Sequence, residues 1–417
     1  MRKLFGLLIL FATTASAAPV ITSISPTEGT EHGGTTILIR GIGFKSSAEV
    51  FIDGARPAAQ SWLPLTQELE ALTLPHAPGK VTLTVRQDDG EVTLQDAFTY
   101  LEDPYHMSPS SGPRTGGTLV TIKGEFAPTG YTVLFGDRPA LGTWRISNDT
   151  LLAVSPPQSG VLDSVPIKLF EYDFGVATNL VFTYVDAPER VLLPLLTEPV
   201  NGAFGARFVT ELRAFNRSST QDARISGLSR SCCLPVVPDP TRDSIDVQRN
   251  SPLAPADIAY NGTPGRFVFV PTNQADRLWL NLRVYDSTRS TQNFGTELPV
   301  VRDRELFRNE PIVFTDVPAD PRFRNTLRIY ADAAVKVQLQ LARDAVDFIE
   351  VREIDIPAPK NKFDPSYVQI GDLPANAGPL RITITPPQPG QPGFYTALWA
   401  FISVTNNDTQ LITTIRP

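Results

Sequence analysis

The sequence predicts an all-β chain made of small β-sandwiches in a row, and three observations predict it. Proline accounts for 38 of 417 residues, about 9% against a usual figure of roughly 5%, which disfavours long helices and favours edge strands, turns and loops. The stretch Pro26 to Phe44, PTEGTEHGGTTILIRGIGF, is written a second time at Pro109 to Phe126, PSSGPRTGGTLVTIKGEF. Strand-period alternation of apolar and polar residues runs through both halves, as in Val335, Val337, Leu339 and Leu341 set against Lys336, Gln338 and Gln340. A chain of this length has a prior of roughly three domains, and units of about a hundred residues can hold a packed core without metal or disulfide help. The formal charge of −7 gives no electrostatic footprint for nucleic acid.

The N-terminus reads as an export signal spanning 1–17. Arg2 and Lys3 precede the apolar run Leu4 to Ala12, and the small triplet Ala15-Ser16-Ala17 predicts cleavage after Ala17. Nine residues cannot cross a bilayer core that needs about twenty, no cysteine follows that could carry a lipid, and no later stretch is apolar enough to span. A secreted, periplasmic or cell-surface location follows, with no transmembrane segment after cleavage. The two cysteines are neighbours, Cys232 and Cys233. Either they are two small apolar residues in a loop before Pro235, or, in an oxidising compartment, they form a strained vicinal disulfide, since adjacent Cα atoms sit about 3.8 Å apart, below the usual disulfide span.

Residues 18–101 form the first unit. Turns at Pro26 and Gly29 and a tight passage at Gly33-Gly34 lead into a strand on which Thr35, Ile37 and Ile39 share the core face. Val50-Phe51-Ile52 follows. Val81, Leu83 and Val85 then point inward on a strand that turns at Asp89-Gly90 into Val92 and Leu94, and Phe98-Thr99-Tyr100 closes the unit. The second unit, 102–186, repeats this at a constant 83 positions (109 − 26 for the prolines): Gly29 and Gly112, Gly34 and Gly117, Gly41 and Gly124, Val50 and Val133. Trp62 and Trp144 correspond as core or strand-edge residues, and Phe182-Thr183-Tyr184 repeats the closing strand. Shared glycines imply shared backbone needs, positive φ or close approach.

Pro-x-x-Gly, then Gly-Gly-Thr, alternating apolars, Gly and a closing Phe-Thr-Tyr resemble the IPT/TIG domain, in both copies and over some two-fifths of the chain. The resemblance implies an immunoglobulin-like β-sandwich in each copy and carries over no catalytic residue. The family it resembles includes bacterial surface and carbohydrate-active proteins, plexins and related receptors, and Rel-type transcription factors.

Beyond Asp186 the pattern changes. Leu212-Arg213-Ala214-Phe215 recurs as Leu282-Arg283-Val284-Tyr285, Leu327-Arg328-Ile329-Tyr330 and, more weakly, Leu398-Trp399-Ala400-Phe401. The spacing predicts two further β-sandwich domains, 187–303 and 304–417, each carrying the motif twice, with antiparallel sheets that keep one wet face.

Candidate chemistry is sparse. His32, His76 and His106 are expected in loops beside turn residues, without metal-ligand spacing, and there is no Gly-x-Ser-x-Gly elbow or phosphate loop. No catalytic residue, cofactor or metal site is predicted. Asp88-Asp89 with Glu91, Asp239 with Asp243 and Asp246, and Asp316 with Asp320 raise the calcium question, against solvated turn carboxylates. The recurrent Arg213, Arg283 and Arg328 lie opposite a core Leu on their strands, as cross-strand charge pairs and stems over aromatics, or as an anion or glycan-carboxylate site. Tyr105, Tyr131 and Tyr395, beside Gly or Pro, are loop aromatics suited to surface contact, and Trp279 and Trp399 sit on strands where one exposed face is conceivable. Asn148, Asn216, Asn261 and Asn407 open sequons expected to be unmodified. The reading is a non-catalytic binding or scaffold protein that recognises an extracellular glycan or an envelope protein through sandwich loops and edges. Its alternatives are an accessory or degenerate polysaccharide-hydrolase module and a purely structural envelope protein.

Overall fold

The computed structural model describes residues 18–417 apart from 160–162, 173, 177, 197–198, 231–243, 254–257, 260–263, 290–293, 344–346, 372 and 375–377. The predicted signal segment and the Cys232-Cys233 pair lie outside the described residues. The chain is all-β. Among the described residues, helix is confined to the single turn Thr272–Ala275 and three short 3-10 segments. Two compact units form, one running to Ser110 and taking in Val120–Pro156 and Ser164–Thr183, the other made of Ser111–Leu119, Pro157–Asp163 and Tyr184–Pro417.

In the first repeat copy, one sheet runs in the order Val20–Ser25, Thr36–Ile42, Glu68–Leu72, Ala59–Leu63, and the facing sheet in the order Glu28–Thr30, Gly90–Leu101, Gly79–Gln87, Glu49–Ile52. The strands alternate as their sequence dictates. Ile37, Ile39, Val50, Leu83, Val85 and Phe98 close the core between the sheets, and Gln87 pairs with Gly90 across the tight turn at Asp88-Asp89. In the second copy, Leu119–Lys123 lies between His106–Ser108 and the hairpin Thr143–Ser147/Thr150–Val154, while Tyr131–Phe135 and Val181–Val185 flank Ser164–Glu171. His106 therefore opens a strand rather than lying in a loop. The duplicated backbone needs are visible at Gly33-Gly34 and Gly116-Gly117, all at φ between 73 and 83°, a region that penalises any side chain. Gly33 is doubly constrained, since a Cβ there would stand 2.5 Å from the Leu74 carbonyl carbon. Trp62 is half-buried on an edge strand against the core.

In the C-terminal unit, Ser244–Val247, Ala223–Ser226, Gly265–Val270, Glu189–Pro194 and Val301–Arg302 form one sheet, and Val200–Asn201, Arg207–Asn216, Leu278–Asp286 and Thr296–Leu298 form its partner. A second sandwich packs Ile312–Val317, Leu380–Thr385, Val335–Ala342 and Phe348–Ile356 against Ser366–Ile370, Phe323–Ala331, Leu398–Asn406 and Ile412–Ile415. The recurrent Leu-Arg motifs are the paired central strands of these sheets. Leu212 stands opposite Leu282, and the strands carrying Leu327 and Leu398 pair along nine residues.

The expectation of one wet face fails on Leu398–Asn406, where every residue but the last is buried. Leu398, Ala400, Ile402 and Val404 enter the core of their own sandwich. Trp399 and Phe401, on the other face, join Tyr330 in the core of the preceding sandwich. Trp399 is 5% exposed, because this face is covered by apolar neighbours rather than by water.

Candidate functional site

Strand alternation on Phe323–Ala331 sends Leu327 and Ile329 into one core and sets Arg324, Thr326, Arg328 and Tyr330 on the opposite face. Register then builds this face row by row. Tyr330 lies between Tyr367 and Trp399, Arg328 between Gln369 and Phe401, Thr326 beside Ser403, and Arg324 beside Thr405. The first row is aromatic, with Tyr330 sealed within it and Tyr367 reaching the cleft. Tyr330 is 1% exposed, its ring centroid is 5.1 Å from that of Tyr367 and 6.1 Å from that of Trp399, and its hydroxyl donates to the Pro264 carbonyl at 3.1 Å. The later rows are polar and open into a cleft of about 530 Å3. Phe208, Thr210, Val284 and Leu298 of the neighbouring sandwich form the facing wall.

Inside the cleft Arg328 donates to the Ser403 hydroxyl at 2.6 Å, lies with its guanidinium carbon 5.6 Å from the Phe401 ring centroid, and hydrogen-bonds the Tyr367 side chain. The Tyr367 hydroxyl donates to Gln369 Oε1 at 2.7 Å, and burial pushes its pKa up. The result is a half-buried Tyr367 ring with a hydroxyl, a primary amide and a guanidinium fixed beside it, the furniture of a small-molecule or saccharide site, while the Phe401 ring lies buried beneath the guanidinium.

The other predicted arginines lie elsewhere. Arg213 and Arg283 converge on Glu211, with nitrogen to oxygen distances of 2.6 and 2.7 Å, and Arg283 lies 4.8 Å from the Tyr285 ring centroid. Burial works against ionisation of Glu211, but the hydrogen bonds from Arg283 and Arg213 outweigh it and hold its pKa below the usual carboxylate value. Stability from this carboxylate is therefore present above its unfolded pKa of about 4.3 and lost as pH falls through the lower folded value. Glu211→Gln should cost about 1–3 kcal/mol near neutral pH. In paired melting curves the gap to the parent should close as pH falls below about 4, and a gap independent of pH would reject this account.

Arg213 also borders a shallow patch with Phe215, Arg217, Pro252 and Trp279, where Trp279 is 43% exposed. Tyr395 is half-buried in a turn at φ 68°, with its pKa raised by burial, and does not line the cleft. Tyr105 also departs from its expected surface role, its ring packing 5.9 Å from that of Phe126.

The histidines are engaged away from the cleft. His76 Nε2 is 3.1 Å from Asp53 and its Nδ1 2.7 Å from the Ala77 carbonyl, contacts that raise its pKa. His32 Nε2 is 3.3 Å from Asp103. Of the acidic groups raised for calcium, Asp89 is ion-paired with Lys45, Glu91 with Arg86 and Asp320 with Arg322, and Asp239 and Asp243 lie outside the described residues. Among the described residues no group of three His, Cys, Asp or Glu side chains is placed to hold a metal. Asn216 is fully buried, its amide donating to the Gln221 and Val247 carbonyls, which leaves no room for a glycan.

Comparison with known proteins bears on the N-terminal half. The family model described as IPT/TIG domain matches residues 19–100 and 105–184. This part of the chain is a tandem pair of IPT/TIG domains. Human Plexin-A2 is 27% identical over 221 residues, which cover 50% of this chain and 12% of that protein. The ankyrin and IPT/TIG repeat-containing protein of Schizosaccharomyces pombe is 33% identical over 90 residues, 22% of this chain and 8% of that one. The chain thus spans about a tenth of the length of these curated relatives. Among solved structures, the Plexin A4 full extracellular region aligns over 94% of this chain and 30% of that one, at 14% identity and a TM-score of 0.22. SGBP-B of the Bacteroides ovatus mixed-linkage glucan utilization locus, in complex with a mixed-linkage heptasaccharide, aligns over 88% of this chain and 99% of that one, at 11% identity and a TM-score of 0.22. Overlaps of this size leave the cleft to be read from its own chemistry, and the IPT/TIG pair contributes none of its lining. No described helix is long and apolar enough to cross a membrane.

The cleft residues Arg324, Tyr367, Gln369, Ser403 and Thr405 went unnoticed at the level of sequence. The alternation Arg324-x-Thr326-x-Arg328 was available as a signal. The partners from 367–369 and 403–405 were not, because only strand pairing brings them alongside.

Proposed function

We propose that this is a non-catalytic binding protein, secreted or held at a cell surface, in which four sandwich domains with boundaries near residues 101, 186 and 303 carry one saccharide-binding cleft in the C-terminal half. The cleft carries the reading. Sugars are bound by an apolar ring face beneath them and fixed hydrogen-bonding groups beside them, and here the half-buried Tyr367 ring supplies the first and Gln369, Ser403 and Arg328 supply the second, in three successive rows of the sheet. Among the described residues its lining contains no Asp or Glu, the pair that glycosidic hydrolysis uses, which favours retention without turnover. The IPT/TIG pair is then a spacer that presents this half.

Affinity chromatography of the full chain on immobilised polysaccharides, with a reducing-end assay on the same material, tests the proposal. At least one polysaccharide should be retained, retention should fall about tenfold or more in Gln369→Ala, and no reducing ends should be released. Release of product would favour a hydrolase, and absence of retention across neutral and acidic polymers would reject the saccharide reading.

A further inference from the structure

We propose that the saccharide taken by this cleft is anionic, with a carboxylate or sulfate ester seated against Arg328 and with Arg324 at the mouth drawing it in. This rests on the saccharide reading above and adds the charge of the ligand.

The first observation is the charge of the lining. Among the described residues that line the cleft, Arg324 and Arg328 are the charged groups, in a chain whose formal charge is −7. The site is therefore a local positive well in an otherwise acidic protein, and a low-dielectric wall concentrates such a field.

The second is the state of Arg328 itself. Elsewhere among the described residues 187–417, half-buried or buried guanidiniums have carboxylates at hand: Arg190 with Asp303 and Asp332, Arg266 with Asp364, Arg283 with Glu211, Arg289 with Asp286, Arg302 with Glu189, Arg308 with Asp303 and Arg352 with Glu350, all within 3.4 Å. Arg328 is half-buried and, among the described residues, meets the hydroxyls of Ser403 and Tyr367 but no acid. Its Nε is buried without a hydrogen-bond partner. A guanidinium taken out of water without a counter-charge is costly, and its planar fork matches the two oxygens of a carboxylate or sulfate. An incoming anion supplies what the fold leaves out. Ser403 and the Phe401 ring hold the guanidinium in one orientation beforehand, so little side-chain freedom remains to be lost on binding.

Arg324 is exposed and four residues along the same strand face, roughly 13 Å away at the rise of a strand. At that distance it acts on approach, through a field that salt screens.

The test is isothermal titration of the full chain with a polyuronate, with the same polymer after reduction of its carboxyl groups to alcohols, and with a sulfated derivative of a neutral polymer. The polyuronate or the sulfated polymer should bind at least tenfold more tightly than the carboxyl-reduced one, and the two arms identify which oxyanion is preferred. Raising the salt from 0.15 to about 0.5 M should weaken the anionic ligand and leave any residual neutral binding unchanged. Arg328→Met should abolish the preference and Arg328→Lys should restore part of it. Arg324→Met, at an exposed position, should slow association at low salt with little change in dissociation. Equal binding of the polyuronate and its reduced form, or an undiminished preference in both Arg328→Met and Arg324→Met, overturns the anionic assignment while the saccharide reading stands. Absence of binding to all three polymers and to neutral polysaccharides overturns both.

Discussion

Asp364→Ala is expected to destabilise the C-terminal half by about 3–5 kcal/mol, the cost of stranding a buried charge. The charge is Arg266, on the strand Gly265–Val270, whose side chain is 5% exposed. Its Nη1 donates to Asp364 at 2.7 Å and its Nε to the Gly227 carbonyl at 2.9 Å. The carboxylate is itself held in place, since Asn361 donates to Asp364 Oδ2 at 2.7 Å while its own oxygen accepts the backbone amides of Phe363 and Asp364. The same loop is tied to the strand through the Phe363 carbonyl, which accepts from the Phe267 amide at 2.7 Å. Removing the acid alone leaves the guanidinium in an apolar setting beside the Phe363 ring. Replacing both residues, as in Arg266→Met with Asp364→Ala, removes that penalty and should be milder than the single change. Hydrogen exchange read by mass spectrometry localises the effect. Peptides covering 265–270 and 361–370 should lose protection while those of the IPT/TIG pair do not, and a double variant as unstable as the single one would refute the charge-stranding explanation.

Tyr330→Ala should have an effect of similar size, about 3–5 kcal/mol, through loss of a large buried ring and the cavity left behind. The side chain grows from one sandwich and is buried in the core of the other, stacked at 6.3 Å on Phe401 and pressed against Gly265, where an added Cβ would lie 2.8 Å from its ring. Tyr330→Phe keeps the packing and drops only the bond to the Pro264 carbonyl, for a loss of about 1 kcal/mol. Because the ring is carried by a central strand of one sandwich and buried in the core of the other, protection should fall together in peptides from 191–306 and 312–415. A loss confined to 312–415 would contradict the shared packing.

What was readable beforehand was local. The 83-residue repeat, the glycines at positive φ and the inward faces of Thr36–Ile42 and Val335–Ala342 follow from periodicity and turn chemistry within short windows. The coverage of Leu398–Asn406 was not, because a period of two says which residues share a face and not whether the second face is wet. A trace of it was present, for the unbroken apolar run Leu398 to Ile402 fits a strand buried on both sides. The cleft shows the same limit. Arg328 stood out as a recurrent arginine, yet Arg213 and Arg283, which share its motif, meet Glu211. Arg213 meets Glu211 on its own strand, while what separates Arg283 from Arg328 is which residue pairs across the sheet, Glu211 opposite Arg283 but Phe401 and Gln369 beside Arg328, partners that lie far along the chain.

The doubly buried strand also fixes an order of events as the chain is made. The core around residues 191–306 lacks Tyr330 until the strand Phe323–Ala331 is made, and lacks Trp399 and Phe401 until the strand Leu398–Asn406 exists. A polypeptide emerging from its N-terminus first can complete the IPT/TIG pair early, since each sandwich draws on its own neighbourhood. The next segment must wait, with apolar surface uncovered, for a piece synthesised about a hundred residues later, and closures of that span are slow and prone to sticking. The C-terminal half therefore matures as one late step, and a ribosome pausing before residue 398 would hold it open.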